Sequence, residues 1–181
     1  MLTLRVLGAH SHVTSSQCAE CPHAAGGCCR APPRLDWADL GRIVQLGGRD
    51  WLLGELAAGR LQPIPRGLAI QRRKMVLGPG KPRDLACAYL GSGGCTIPPE
   101  RRSATCNYYV CEEALQVGSS ATQAQARRLH ESLVARYIRW DEVFVEEIAA
   151  ASPDGPAYDA AFFDWLGRRF TELAKGYEPR C

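Results

Sequence analysis

Between residues 121 and 151 the chain has no proline or glycine, and Leu129, Leu133, Tyr137, Trp140, Phe144 and Ile148 recur at four- and three-residue steps. That spacing lays six large apolar side chains along one face of a long amphipathic helix. Arg127, Arg128, Glu131, Arg139, Glu142 and Glu146 fall largely on the other side. Ser152-Pro-Asp-Gly-Pro156 breaks the pattern. A second helix is predicted over 157–175, with Phe162, Leu166, Phe170 and Leu173 inward and Gly176 as its stop. The two read as a helical hairpin. Its plain role is to complete a core; its second reading is a docking face for a protein partner.

The first two thirds of the chain are more broken. Asp36 is placed as the N-cap of a helix through about Leu46, with Leu40, Ile43 and Val44 as its stripe and Gly47-Gly48 as its end. A short helix follows over 50–58, with Trp51, Leu52 and Leu56 inward. Leu68–Val76, a Gly78–Pro82 turn and Leu85–Leu90 read as a β-hairpin. Residues 1–17 read as a short strand (Leu2, Leu4, Val6) and then an exposed polar segment carrying His10 and His12. Arg30–Leu35 is extended because of its prolines, and a short helix starting near Ser103 carries Cys106. The predicted fold class is α+β, mostly helical, as a single compact unit. It comprises an N-terminal segment (1–17), a loop-rich cysteine half with a small β-hairpin (18–115), and the C-terminal helical hairpin (121–176).

Composition narrows the class. With 181 residues, 46% hydrophobic and 23% charged, the chain can bury one substantial core. No apolar run approaches the roughly 20 residues of a membrane span. Met1 to His10 lacks a charged start followed by an apolar run, so no secretory signal is read and a cytoplasmic location is expected. The net charge is +3. Residues 60–83 hold Arg60, Arg66, Arg72, Arg73, Lys74, Lys81 and Arg83 with no acidic residue. That stretch is either an anion contact or the solvated face of a strand pair. It lacks aromatics that stack on bases, so nucleic acid is the weaker reading.

The chemistry is concentrated in cysteines. Cys18, Cys21, Cys28 and Cys29 form one group, and Cys87, Cys95, Cys106 and Cys111 a second; Cys181 stands apart as a terminal thiol. In a cytosolic chain such clusters point to metal or catalysis rather than disulfides. Cys18-x2-Cys21 can aim two thiolates at one ion, and Gly26-Gly27 and Gly91-Ser-Gly-Gly94 allow loops to wrap a centre. Adjacent Cys28 and Cys29 diverge in extended backbone and are awkward on one tetrahedral ion. All eight are expected to bind metal, as an iron–sulfur cluster ([4Fe–4S]) or zinc, and the irregular spacing favours iron–sulfur. His10, His12 and His23 are secondary ligand candidates, and Tyr108 and Tyr109 a shield against water.

C-x2-C-x6-CC, then Leu35-x3-Asp-Leu-x2-Ile43, then C-x-Y-L…G-C-x-I…R…C…C resembles the eight-cysteine family of zinc- or iron-chelating domains, over about residues 18–111. It departs at Arg101-Arg102, where the family often has Arg-Pro, and at Asn107, where it often has Arg. Flagellin lysine N-methylases carry a related cysteine domain. The resemblance implies a metal-binding protein with a structural or accessory role. An enzyme component, redox or lysine methylation-like, is the competing reading, with Glu20, His23, Arg101 and Tyr108 as the nearest polar groups. No Gly-rich strand–loop–helix for S-adenosylmethionine is present. A nucleic-acid-binding zinc protein is the third reading.

Overall fold

Helix α1 (Trp37–Gln45) is buried along most of its length, from Trp37 to Ile43, in a computed structural model that describes residues 1–18, 21, 27–76 and 83–181. A helix hidden on nearly every side must lie between other layers. Asp36 starts it, its Oδ1 accepting the Asp39 N–H at 3.2 Å. Gly47, at φ +75°, ends it. The Gly48 N–H reaches Ile43 O and the Gly47 N–H reaches Val44 O, both at 2.8 Å, which satisfies carbonyls the helix leaves open.

Helix α2 (Arg49–Ala57) follows directly, and two long helices close the chain. In α5 (Ser120–Ala151), Ser119 caps the start and Leu129, Leu133, Tyr137, Trp140, Phe144 and Ile148 are all buried, as their periodicity predicts. Burying each Leu or Phe contributes about 1.5–3 kcal/mol. In α6 (Ala160–Ala174), capped by Asp159, the buried set is Phe163, Leu166, Gly167 and Phe170. Phe162 and Leu173 are only half-buried, so the inward face is rotated from the expected one.

The cause is α1. Its backbone, not that of α5, is the nearest to α6. A Cβ on Gly41 would lie 2.7 Å from Phe170 Cβ and 2.9 Å from Leu166 O, and one on Gly167 would lie 2.6 Å from Val44 Cγ1. Helix α5 meets α6 through side chains, such as Trp140 against Phe170 with ring centres 5.2 Å apart. The apolar faces offered by sequence as a docking surface are thus used within the chain, and the expected protein partner at that surface is not supported.

The described strands form four separate antiparallel pairs. They are β1 (Leu2–Arg5) with β2 (His12–Ser15), β3 (Leu61–Ile64) with β4 (Gly67–Ile70), β5 (Arg72–Val76) with β6 (Arg83–Cys87), and β7 (Leu90–Gly91) with β8 (Gly94–Cys95). The single hairpin expected over 68–90 is divided at Gln71, because Leu68–Ile70 pairs back onto 61–64. Pro63, a residue that argues against a central strand, is tolerated because β3 has only one neighbour. Gly67, at φ +108°, lets β4 approach Leu35, which exchanges two 2.8 Å hydrogen bonds with Leu68. The Gly78–Pro82 turn lies outside the described residues.

The amino terminus also differs from expectation. Leu2 and Val13 are buried, and Tyr137 Oη of α5 donates to Ala9 O at 2.7 Å. His12, expected in an exposed segment, is 9% exposed. Short helices α3 (Ala104–Tyr108) and α4 (Glu112–Leu115) join the strands to α5, with Ser103 capping α3 as expected for a helix starting there. The architecture is α+β, mostly helical with small antiparallel hairpins. Among the described residues no helix is long and apolar enough to cross a membrane.

Gly41→Ala tests the α1–α6 contact. On helix propensity alone the change would stabilise by about 1 kcal/mol. We expect it instead to destabilise by about 1–3 kcal/mol in urea denaturation, because the methyl overlaps Phe170 and the Leu166 carbonyl. A stabilised variant would show that the helices are not held this closely.

Candidate functional site

The cysteines lie on short, tightly held pieces of backbone. Cys18 ends a 3-10 turn (Ser16–Cys18), and Cys111 is the N-cap of α4. Ser15 Oγ donates to Ala114 O at 3.0 Å, tying those two pieces together. Cys28 and Cys29 share a second 3-10 turn (Gly27–Arg30) that packs on β6, whose last residue is Cys87. Cys95 ends β8, and Cys106 lies in α3.

Several of the thiols influence one another. Cys18 is pushed up by desolvation first, then by the charges of Cys28, Cys111 and Cys21. Cys106 is pushed up to about 11 by burial, with smaller contributions from Cys95, Asp39 and Cys87. Cys29 is raised by its hydrogen bond with Cys28, by burial, and by Cys87 and Cys95. Cys87 is buried and Cys181 is exposed on the tail.

This arrangement overturns the metal centre. Among the described residues, no group of three or more His, Cys, Asp or Glu side chains is placed to hold an ion. The expected zinc or iron–sulfur cofactor, and Cys18, Cys21, Cys28, Cys29, Cys87, Cys95, Cys106 and Cys111 as its ligands, are not supported by that geometry. The resemblance to the chelating family therefore does not carry over. Metal ions as partners fall with it, as do the redox, methylation-like and zinc–nucleic-acid readings that needed such a centre. Physically, the thiols sit on separate turns, strand ends and helix starts, and among the described residues the packing of those pieces brings no three of them around one ion. Glu20 and His23 lie outside the described residues. The basic stretch is partly neutralised: Arg60 pairs with Glu55, Arg66 pairs with Asp141 at 2.7 Å, and Arg73 donates to Leu90 O.

A different group of side chains converges elsewhere. A cavity of about 460 Å³ is walled by Leu7, Leu46 and Pro99 and contains His10, His12 and Arg42, with Glu100 also lining it. Arg42 comes from α1 and is 1% exposed. Its Nη1 donates to Glu100 O at 3.4 Å and its Nη2 to Arg102 O. Its Nε is buried and has no hydrogen-bond partner, and the same holds for His10 Nδ1. His12 Nδ1 lies 3.3 Å from His10 O. The loop carrying His10 is held by the Tyr137 contact and by Ser11 Oγ, which donates to Gly8 O at 2.7 Å.

The charge on Arg42 is only loosely balanced. Asp39 is its ion-pair partner at 3.7 Å, beyond a good hydrogen bond. The Asp39 carboxyl is held well above the usual carboxylate range, by burial first and then by Asp36, although Arg42 and the Ala104 N–H oppose this. His10 is held below its usual value, by burial first and then by Arg42, and so is neutral at pH 7. The cavity thus presents a buried cation, a neutral imidazole and two unsatisfied ring or guanidinium nitrogens. Sequence reasoning placed His10 and His12 on an exposed segment and gave Arg42 no role. The available signal was an arginine inside an otherwise apolar helix stripe, one turn beyond Asp39.

No protein-family model matches the chain, and neither does any curated protein or solved structure.

Asp36 offers a pH test of this network. Its carboxyl is pushed up to about 6, by burial first and then by Asp141. An unfolded Asp titrates near ~3.9, so the folded state holds this proton more tightly. Its contribution to stability is fully present below about pH 4 and is lost as pH rises through about 6. Asp36→Asn keeps an oxygen for the Asp39 N–H and cannot ionise. Relative to the native chain, we expect the variant to gain about 1–3 kcal/mol between pH 4 and pH 7 in urea denaturation. A stability difference that stays flat across that range would refute the assignment.

Proposed function

We propose that the protein is a binding module for a small carboxylate, which seats its charged end on Arg42 and His10. The observation that carries this is the pair of buried nitrogens, Arg42 Nε and His10 Nδ1, both unpartnered on side chains that line one cavity. Buried polar groups are nearly always hydrogen-bonded, and a buried charge without full compensation is costly. A carboxylate that reached these nitrogens would satisfy them and supply the negative charge that Asp39 delivers only in part.

The walls define the rest of the ligand. Leu7, Leu46 and Pro99 suit a short apolar tail. Glu100 on the lining disfavours a doubly charged phosphate or dicarboxylate through like-charge repulsion. Among the described residues no nucleophile with an adjacent base lines the cavity, so the arrangement supports recognition rather than turnover.

Titration calorimetry with sodium butyrate tests this on the full chain. We expect saturable binding, weakened about tenfold or more by His10→Ala, since a hydrogen bond to a charged group is worth about 1.5–3 kcal/mol. Leu46→Trp, which fills the cavity from its rim, abolishes it, and inorganic phosphate binds more weakly than butyrate. The absence of saturable binding to the native chain, or equal binding by all three proteins, would overturn the proposal.

A further inference from the structure

The basic stretch contributes nothing to the lining of the carboxylate cavity, and one of its strands has an open edge. We propose that β5 docks an acidic peptide, which adds to it as a further extended strand. The edge exists because β5 pairs with β6 alone. Its direction is fixed at Gln71. The Gln71 N–H reaches Arg60 O, continuing the β3–β4 pair, while the Gln71 carbonyl accepts the N–H of Ala88, just past β6; both bonds are 2.9 Å. With that carbonyl turned towards β6, strand alternation aims the N–H and C=O of Arg72 and Lys74 away from β6. Among the described residues no backbone group meets them there. An edge of this kind is a template for another strand.

The side chains select the partner. Arg72 and Lys74 are exposed and, two residues apart in a strand, share one face. Arg60 and Arg66 are paired with Glu55 and Asp141, whereas Arg72 and Lys74 have no ion-pair partner among the described residues. Arg73, on the opposite face, donates to Leu90 O at 2.9 Å and braces the strand. A second copy of the chain added across β5 would set cations against cations, which disfavours self-pairing. A segment with Asp or Glu at alternate positions sets carboxylates beside Arg72 and Lys74 while its backbone bonds the open amides and carbonyls. Nucleic acid would gain from the charge alone, since it has no strand backbone to pair with this edge.

The test is fluorescence anisotropy of the full chain with fluorescein-labelled Glu-Val-Glu-Val-Glu-Thr-amide. We expect saturable binding that weakens as salt rises. Lys74→Glu weakens it about fivefold or more by replacing an attraction with a repulsion, with circular dichroism showing that the variant stays folded. Arg139→Glu, the same charge change on α5, leaves binding nearly unchanged. N-methyl groups on one alternate set of peptide residues abolish binding, and on the other set leave it, because only one set of amides faces β5. Saturating butyrate does not displace the peptide, which separates docking at β5 from a carboxylate entering the Arg42 cavity. No saturable binding, equal binding by folded Lys74→Glu, equal effects of the two methylation patterns, displacement by butyrate, or tighter binding of a thymidine oligonucleotide than of the peptide would each overturn the proposal.

Discussion

A guanidinium that is 1% exposed must be compensated where it lies, and Arg42 sets the terms for much of the structure around it. Desolvating such a charge costs several kcal/mol. The compensation comes from the sequence-distant carbonyls of Glu100 and Arg102 and, one turn back in the same helix, from the carboxyl of Asp39. Asp39 also accepts the Ala104 N–H at 2.6 Å, fastening the start of α3 to α1. Arg101 donates to the carbonyls of Ile43 and Leu46, where the helix dipole favours a cation. Residues 100–104 are therefore drawn over the carboxyl end of α1 by polar contacts, and the cavity is what remains between that segment and the amino-terminal loop.

The same helix has to serve two incompatible neighbours. Its Gly41 side is pressed against α6, where even one methyl is excluded. Its Asp39 and Arg42 side carries charges that need partners. Tight apolar packing on one side holds the polar side, with the 1% exposed Arg42, in place. Rigidity of this kind is what a preorganised binding site requires.

Local features were legible in the sequence wherever local physics governs. The six-residue stripe of α5, the Asp36 cap and the Gly47-Gly48 stop each follow from short-range spacing, and each is present. The Leu68 strand was misassigned because its partner, 61–64, contains Pro63 and reads as loop. The half-burial of His10 and the burial of His12 depend on Tyr137, which lies 128 residues along the chain from Ala9. No periodicity near residue 10 encodes that contact. Cysteine spacing suggested a metal cluster, but spacing does not report whether four sulfurs share one tetrahedron, and among the described residues none do. That depends on how the turns at Cys18 and Cys28 face β6, β8 and α3, which is set by tertiary packing.

The cavity and the thiol face hang on one stretch of chain. Cys95 precedes the Pro99–Arg101 turn that walls the cavity, and Cys106 and Cys111 follow it. Asn107 Nδ2 donates to Pro99 O at 2.8 Å, within the same α3 that carries Cys106. Arg102 Nε donates to Ile97 O at 2.6 Å, and Cys95 Sγ also lies against that carbonyl, at 3.8 Å. A chemical change at Cys95 or Cys106 would therefore act on backbone that also positions Glu100 and Arg102 around Arg42. Cys18 and Cys28 sit on other segments, linked to this stretch through α4 and β6.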